Sequence, residues 1–244
     1  MHDPVDVVMP VKELARAKSR LTPAVADLPG DDADRERAHR ALALALARDT
    51  LRAARAAGRV GRLVVVTAEP ATRLGAAGEP REVVRDGGDG LNAALRRGLA
   101  HLRRTGGTGA TAALQADLPA LRPEELDDAL GHAAARIAGG ADAAFVADHA
   151  GTGTTLLVTA PGRTPRPHFG PASALAHARA GAVALPGDWP GLRGDVDTVD
   201  DLARARALGT GPATTAWPDH GADRPAPDRA APDRAAAGAP SGPP

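Results

Sequence analysis

Thr111–Leu121 reads TAALQADLPAL, an apolar run that halts at a lone carboxylate, Asp117, followed at once by Leu118 and Pro119. Small and aliphatic residues in unbroken sequence suit a parallel strand covered on both faces, and Pro119, with no amide proton to donate, ends the ladder. Pro123, Glu124 and Glu125 then open a helix, because proline fits the first helical position and acids suit the positive end of the helix dipole. In open α/β sheets ligands gather beyond the carboxyl ends of the strands, which is where this pattern sets Asp117. An aspartate there either serves a ligand or caps the following turn.

Working outward, Val5–Met9 reads as a first strand closed by Pro10, and the segment after it, VKELARAKSRLTP, carries Lys12, Arg16, Lys18 and Arg20. The end of a first strand is where mononucleotide-binding folds receive phosphates. The loop has no glycine and no GK[ST], so it is not a P-loop; it is either a phosphate-binding loop of another design or a solvated basic turn. Asp34–Ala57, rich in Ala, Leu and Arg, predicts a long helix ended by Gly58, and Leu63–Thr67 predicts a second buried strand. Glu82–Val84 predicts a short third strand. Gly87, Gly88 and Gly90 then lead into a helix starting near Leu91, whose first turn offers Asn92 either to a base or ribose edge or to nothing more than a glycine-rich turn.

Past the Asp117 strand, Pro123–Ala138 predicts a helix, and DAAFVAD (142–148) and TTLLV (154–158) predict two strands joined by a turn. Thr154 and Thr155 are strand-entry hydroxyls or anion ligands. Ser173, placed at the N-cap of a short helix after Gly170, offers free amides to an anionic group or is simply a cap. Asp195 and Asp197 stand two apart in an extended stretch, so both can face one cation, and oxygen-only ligation of that kind suits Mg²⁺; the alternative is a solvated turn. Thr198 or Asp200 opens a last helix to Leu208.

Composition narrows the functions. With 244 residues, 43% of them hydrophobic, the chain can bury one sizeable core, and we expect one α/β domain over 1–211 and a disordered tail over 212–244, where PDRAAPDRAA nearly repeats without aliphatic anchors. Lys+Arg 30 balances Asp+Glu 30, against a dedicated binder of nucleic acid or acidic membrane. The absence of cysteine excludes disulfides, thiolate metal sites and cysteine nucleophiles. The N-terminus lacks a basic, apolar leader and no stretch approaches the ~20 apolar residues of a membrane span, so a cytoplasmic protein is expected. Arg, Ala, Gly and Pro abound, as in a GC-rich genome, yet the only two lysines, Lys12 and Lys18, fall in one loop. A compact ammonium is the reason chemistry would give for that.

The pieces PVKELARAKSRL, DGLNAAL, ADLPAL, GTGTTLL, FGPASALAHARAGA and GDVDTVDDL occur in an order that resembles the guanylyltransferases of deazaflavin coenzyme F-420 biosynthesis, the phosphoenolpyruvate or 2-phospho-L-lactate guanylyltransferase family. The resemblance runs from about Val5 to Leu208. It implies a GT-A-like, Rossmann-related nucleotidyltransferase fold with a mostly parallel sheet flanked by helices, and transfer of GMP from GTP to phosphoenolpyruvate or 2-phospho-L-lactate. It further implies that Asp117 and Asp195 hold Mg²⁺ with Asp197 close by, that Thr155, Gly170 and Ser173 meet the phosphoenolpyruvate-type acceptor, and that Lys12, Lys18 and Arg20 serve the GTP phosphates. The expected catalytic set is Asp117, Asp195 and Lys18, and Asn92 joins the nucleotide side. A downstream transferase that accepts the guanylylated product is the implied partner. Thr155 stands where archaeal-type members carry Asn, which bears on the acceptor and not on the reaction. The GC-rich composition and that departure favour phosphoenolpyruvate. A non-catalytic nucleotide sensor, a molybdopterin nucleotidyltransferase and a sugar-nucleotide transferase are the competing readings.

Overall fold

The computed structural model describes residues 3–11, 19–26, 29–70, 82–107 and 109–217, without the side chains of Ser19, Arg20 and Thr22. Lys12 and Lys18, the Arg20 side chain and everything after Trp217 thus lie outside the described residues.

Seven strands, β1 (Val5–Val11), β2 (Val60–Thr67), β3 (Glu82–Arg85), β4 (Thr111–Leu114), β5 (Ala143–Ala147), β6 (Thr154–Thr159) and β7 (Val183–Ala184), form one sheet in the order 3-2-1-4-6-5-7. All neighbours are parallel except β6, which runs against both β4 and β5. The helices are α1 (Asp32–Ala56), α2 (Leu91–Arg104), α3 (Pro123–Ala138), α4 (Ser173–Arg179), α5 (Pro190–Arg193), α6 (Val199–Leu208) and α7 (Pro212–Thr215), with a 3-10 turn over Ser19–Ala24. The α/β architecture and the mostly parallel sheet agree with the sequence reading.

The chain winds outward from β1 in both directions, through α1 to β2 on one side and later through α2 to β4 on the other. A crevice opens where such a winding reverses, beyond the carboxyl ends of β1 and β4. Both faces of the sheet are covered, as parallel strands require. On one face Val5, Val7, Ala112, Leu114 and Val146 pack on Ala53 and Ala54 of α1 and on Leu126, Leu130 and Ala133 of α3. On the other, Val8, Val64, Val66, Ala113 and Leu157 pack on Ala94, Leu95, Leu99 and Leu102 of α2 and on Ala174 of α4. In α2, Gly98 permits the close approach. A Cβ there would lie 2.4 Å from Val8 Cγ1 and 2.8 Å from Val66 Cγ2.

Two boundaries differ from expectation. Pro10 does not close β1 but lies inside it, paired with Val66. The Asp6 amide donates to Ala110 O, so the even residues of β1 aim their amides at β4. Pairing with β4 stops at Val8 and Ala113, and Pro10 therefore falls where no donor is needed. The ordered domain also runs past residue 211. Residues 212–215, assigned to the tail from sequence, form α7, whose amides at Ala213 and Thr214 donate to the buried carboxylate of Asp49 in α1 at 3.0 and 2.7 Å. Two carboxylate-to-amide bonds suffice to hold a turn that proline and alanine alone would not.

Candidate active site

Asp117 sits three residues beyond the end of β4, on main chain that is fastened on several sides. The Gln115 amide donates to Thr155 O at 2.9 Å, and Asp117 O accepts from the Val196 amide at 3.0 Å. The Leu118 amide donates to Thr50 Oγ1 at 2.8 Å, and that hydroxyl donates on to Leu46 O within α1. Pro119 O accepts from the Gly211 amide at 2.9 Å. Each bond comes from a different part of the chain, so the segment that carries Asp117 is fixed although it belongs to no helix or strand. Its Oδ1 is buried.

The Asp195–Asp197 segment is placed by α3. Glu125, which the sequence suggested only as a helix-dipole acid, instead accepts from the amides of Gly191 and Leu192 at 3.1 and 2.9 Å. The Trp189 indole donates to Asp128 at 2.8 Å. Gly191 allows this contact, since a Cβ there would lie 2.2 Å from Ala120 O. Below the segment, Thr198 and Asp201 form a reciprocal capping box that starts α6. Val196, bonded to Asp117, is flanked by half-buried Asp195 and exposed Asp197, and the Asp197 amide donates to Asp201.

Among the described residues no three His, Asp or Glu side chains stand together as a ready-made metal cage. The adjoining segments of Asp117 and Asp195 supply a hard, oxygen-only donor set, and Mg²⁺ suits one or two carboxylates completed by water and phosphate oxygens. The residues present fit that ion on these terms.

The opposite wall comes from β6. Because β6 runs against its neighbours, its first residues, Thr154 and Thr155, arrive at the edge where β4 and β5 end. Asp148 shapes the turn before them by accepting from the amides of Thr152 and Gly153 at 2.9 and 2.8 Å. Thr155 is wholly buried, and its hydroxyl has no hydrogen-bond partner among the described residues. A buried hydroxyl left so costs ~1 to 3 kcal/mol, which a ligand oxygen would recover. The Ala174 amide donates to Thr152 O, tying α4 to this turn. Ser173 is buried, and it is the first helical residue of α4, not the cap expected from sequence. Ala172, in a left-handed conformation with φ of 55°, takes the cap position.

Asn92 and His177 also face this wall. Asn92 Nδ2 donates to Phe169 O at 2.9 Å and its Oδ1 accepts from the Phe169 amide at 2.8 Å. Its place at the edge is as the sequence suggested, whereas its amide is engaged with protein main chain. His177, which the sequence reading passed over, is buried, with Nε2 accepting from the His168 amide at 2.9 Å and Nδ1 at 3.0 Å from Thr154 Oγ1. Burial, and secondarily the nearby His168, lowers its pKa to about 4. It lies within the FGPASALAHARAGA stretch, nine residues after His168, but nothing local in that stretch sets it apart.

Asp117, Asp195, Asp197, Thr155, Gly170, Ser173 and Asn92 thus gather around one end of the sheet, on its β4–β6 side, the end at which β1 stops with Val11; Lys12 and Lys18 lie outside the described residues.

No family model matches the chain. Whole-length relatives do. The chain is 50% identical over 218 residues to the phosphoenolpyruvate guanylyltransferase of Streptomyces scabiei, covering 86% of this chain and 94% of that one. It is 50% identical over 210 residues to the protein of the same name from Salinispora arenicola, covering 85% and 90%. Among solved structures it is similar to a nucleotidyl transferase from Methanothermobacter, with a TM-score of 0.55 and 19% identity over 84% of this chain and 97% of that one. It is also similar to a cytidylyltransferase from Leptospira borgpetersenii, with a TM-score of 0.52 and 15% identity over 88% and 91%. These two establish the shared fold. With half of the aligned residues identical to each of these two relatives across most of their lengths, the chain belongs to the phosphoenolpyruvate guanylyltransferase family.

Proposed function

We propose that this protein transfers GMP from GTP to phosphoenolpyruvate, forming enolpyruvoyl-diphospho-guanosine and pyrophosphate, as a step of coenzyme F-420 biosynthesis. A phosphate oxygen of phosphoenolpyruvate attacks the α-phosphorus of GTP, and the bond from that phosphorus to the bridging oxygen of the β-phosphate breaks. No general base is needed, since the attacking oxygen is already an anion near neutral pH. Chemistry of this kind asks for in-line positioning and neutralised charge more than for covalent help. Mg²⁺, when bound, supplies part of that neutralisation, and Asp117 and Asp195 are the residues to hold it.

The observation that carries the reading is the meeting of two unlike walls at one sheet edge. Main chain at Asp117 is bonded directly to Val196 between the other acids, while Gln115, two residues before, is bonded to Thr155. The acid-bearing wall suits a polyphosphate with its cation. The wall of Thr155, Gly170 and Ser173 suits a small acid bearing a phosphate and a carboxylate, and the names of the relatives agree with that pairing. On this reading Lys12, Lys18 and Arg20 meet the GTP phosphates, and the product passes to a transferase that accepts a guanylylated acid.

Protein incubated with Mg²⁺ and GTP, with and without phosphoenolpyruvate, tests this. We expect pyrophosphate only when both substrates are present, and a fall on the order of 10² or more in Asp117→Ala and Asp195→Ala, with unchanged circular dichroism. GTP binding without product would instead favour a sensor, and near-normal turnover in either variant would remove that acid from the metal assignment.

A further inference from the structure

The loop 164–171, TPRPHFGP, contains three prolines and crosses between β6 and α4 without joining a helix or strand. Prolines donate no amide, so such a segment cannot be ordered by main-chain pairing, and its shape must be imposed by side chains. Two side chains do so. Asn92, in the first turn of α2, makes both a donated and an accepted bond to the main chain of Phe169. His177, on α4, accepts from the His168 amide.

The second contact fixes the proton on the ring. Because Nε2 accepts, the neutral imidazole carries its hydrogen on Nδ1 and donates it to Thr154 Oγ1, 3.0 Å away. One rigid ring therefore spans from the loop to the first residue of β6, next to Thr155. Phe169 packs edge-on against that ring with centroids 5.1 Å apart, and the whole contact is closed to water. Gly170, with φ of 133° and open space where a Cβ would stand, has no side chain to hold it, and its carbonyl accepts from the Ser173 amide.

We infer that Asn92 and His177 are positioning residues for the acceptor, acting as a two-sided clamp that sets the main chain of 168–170, and with it Gly170 and Ser173, against Thr155. The inference rests on the acceptor wall assigned under Proposed function. A purely architectural pair would lower the fraction of folded enzyme and affect both substrates alike. A clamp on one wall acts on one substrate.

The variants separate the bonds. His177→Asn retains a donor near the Nδ1 position and loses the Nε2 acceptor, whereas His177→Gln can place an amide oxygen near the Nε2 position. Asn92→Asp keeps the acceptor for the Phe169 amide but turns a carboxylate oxygen on the Phe169 carbonyl. For His177→Asn and Asn92→Asp we expect the KM for phosphoenolpyruvate to rise roughly tenfold, with the KM for GTP within about twofold of wild type and His177→Gln lying closer to wild type. Hydrogen–deuterium exchange of peptides covering 164–171 should quicken in the first two variants and be restored in the third, while α1 and α3 stay protected. Unchanged exchange in the loop, exchange that rises throughout the molecule, or parallel rises in both KM values would overturn the clamp. If wild-type protein turns over no phosphoenolpyruvate, the proposed reaction fails, and the exchange data still decide whether the clamp exists.

Discussion

His177 couples the loop beside the Thr155 wall to acidity. Its pKa of about 4 lies below the value near 6.5 that an exposed histidine shows, so between those limits the unfolded chain binds a proton that the folded protein refuses. The contribution of this residue to folding stability should therefore be flat above pH 6.5 and fall as pH drops toward 4, by roughly 3 kcal/mol. Thermal melts at half-unit steps would measure the slope, and His177→Gln should flatten it. Glu82 acts in a lower window. Hydrogen bonding to Arg62, aided by His101, brings its pKa to about 2, so its contribution is complete above about 4.5 and lost only as pH falls through 2. At this scale the sequence exposed what rarity marks. Asn92, the only asparagine, drew attention by its rarity, but its bond to Phe169 spans 77 positions and nothing local announces it. Thr50, whose hydroxyl holds the Leu118 amide, looks like any threonine in a helix.

At the scale of elements, apolar runs and breakers located every strand of the sheet except β7, which is only two residues long. The short turn between β5 and β6 implied that β6 runs against β5, but an apolar run reads alike beside any neighbour and could not reveal that β6 also lies against β4. Pro10 misled for a related reason: whether a proline ends a strand depends on whether a neighbour still needs its amide, which is a property of register. Gly98 carries a prediction at this level. Its missing Cβ lets α2 lie against Val8 and Val66, so Gly98→Ala, although favourable to an isolated helix, should destabilise the protein by about 1 to 3 kcal/mol through overpacking. Urea titration would read this as a lower midpoint at unchanged slope. A rise in stability would mean that the sheet yields more readily than the buried valines imply.

For the whole molecule, the C-terminal boundary is tied into the rest of the structure. Asp49 caps α7, Gly211 bonds to Pro119 beside the Asp117 segment, and Arg206 donates to Trp217 O. A chain ending at Trp217 should match the full chain in melting temperature and turnover. One ending at Thr210 leaves the buried Asp49 carboxylate without its two amides and should lose about 1 to 3 kcal/mol, together with turnover. Equal behaviour of the two truncations would show that α7 contributes nothing to the Asp117 loop. The candidate fold was legible across this molecule because layered α/β cores write themselves into apolar periodicity. The fastenings of the site were not, since each joins residues far apart in the chain.

The reversal of β6 has a consequence for how such an enzyme can diverge. A parallel neighbour would reach this edge only after a full crossover, so any change in its approach would disturb a helix and the core beneath it. β6 instead enters from β5 through the short turn at 148–153, outside the hydrogen-bonded ladder. Lengthening or recomposing that turn leaves both strands in register. The same turn is also bonded to Arg193, two residues before Asp195, and to Ala174 of α4, so editing this one hairpin would reshape the wall carrying Thr155 and shift the acid-bearing segment with it.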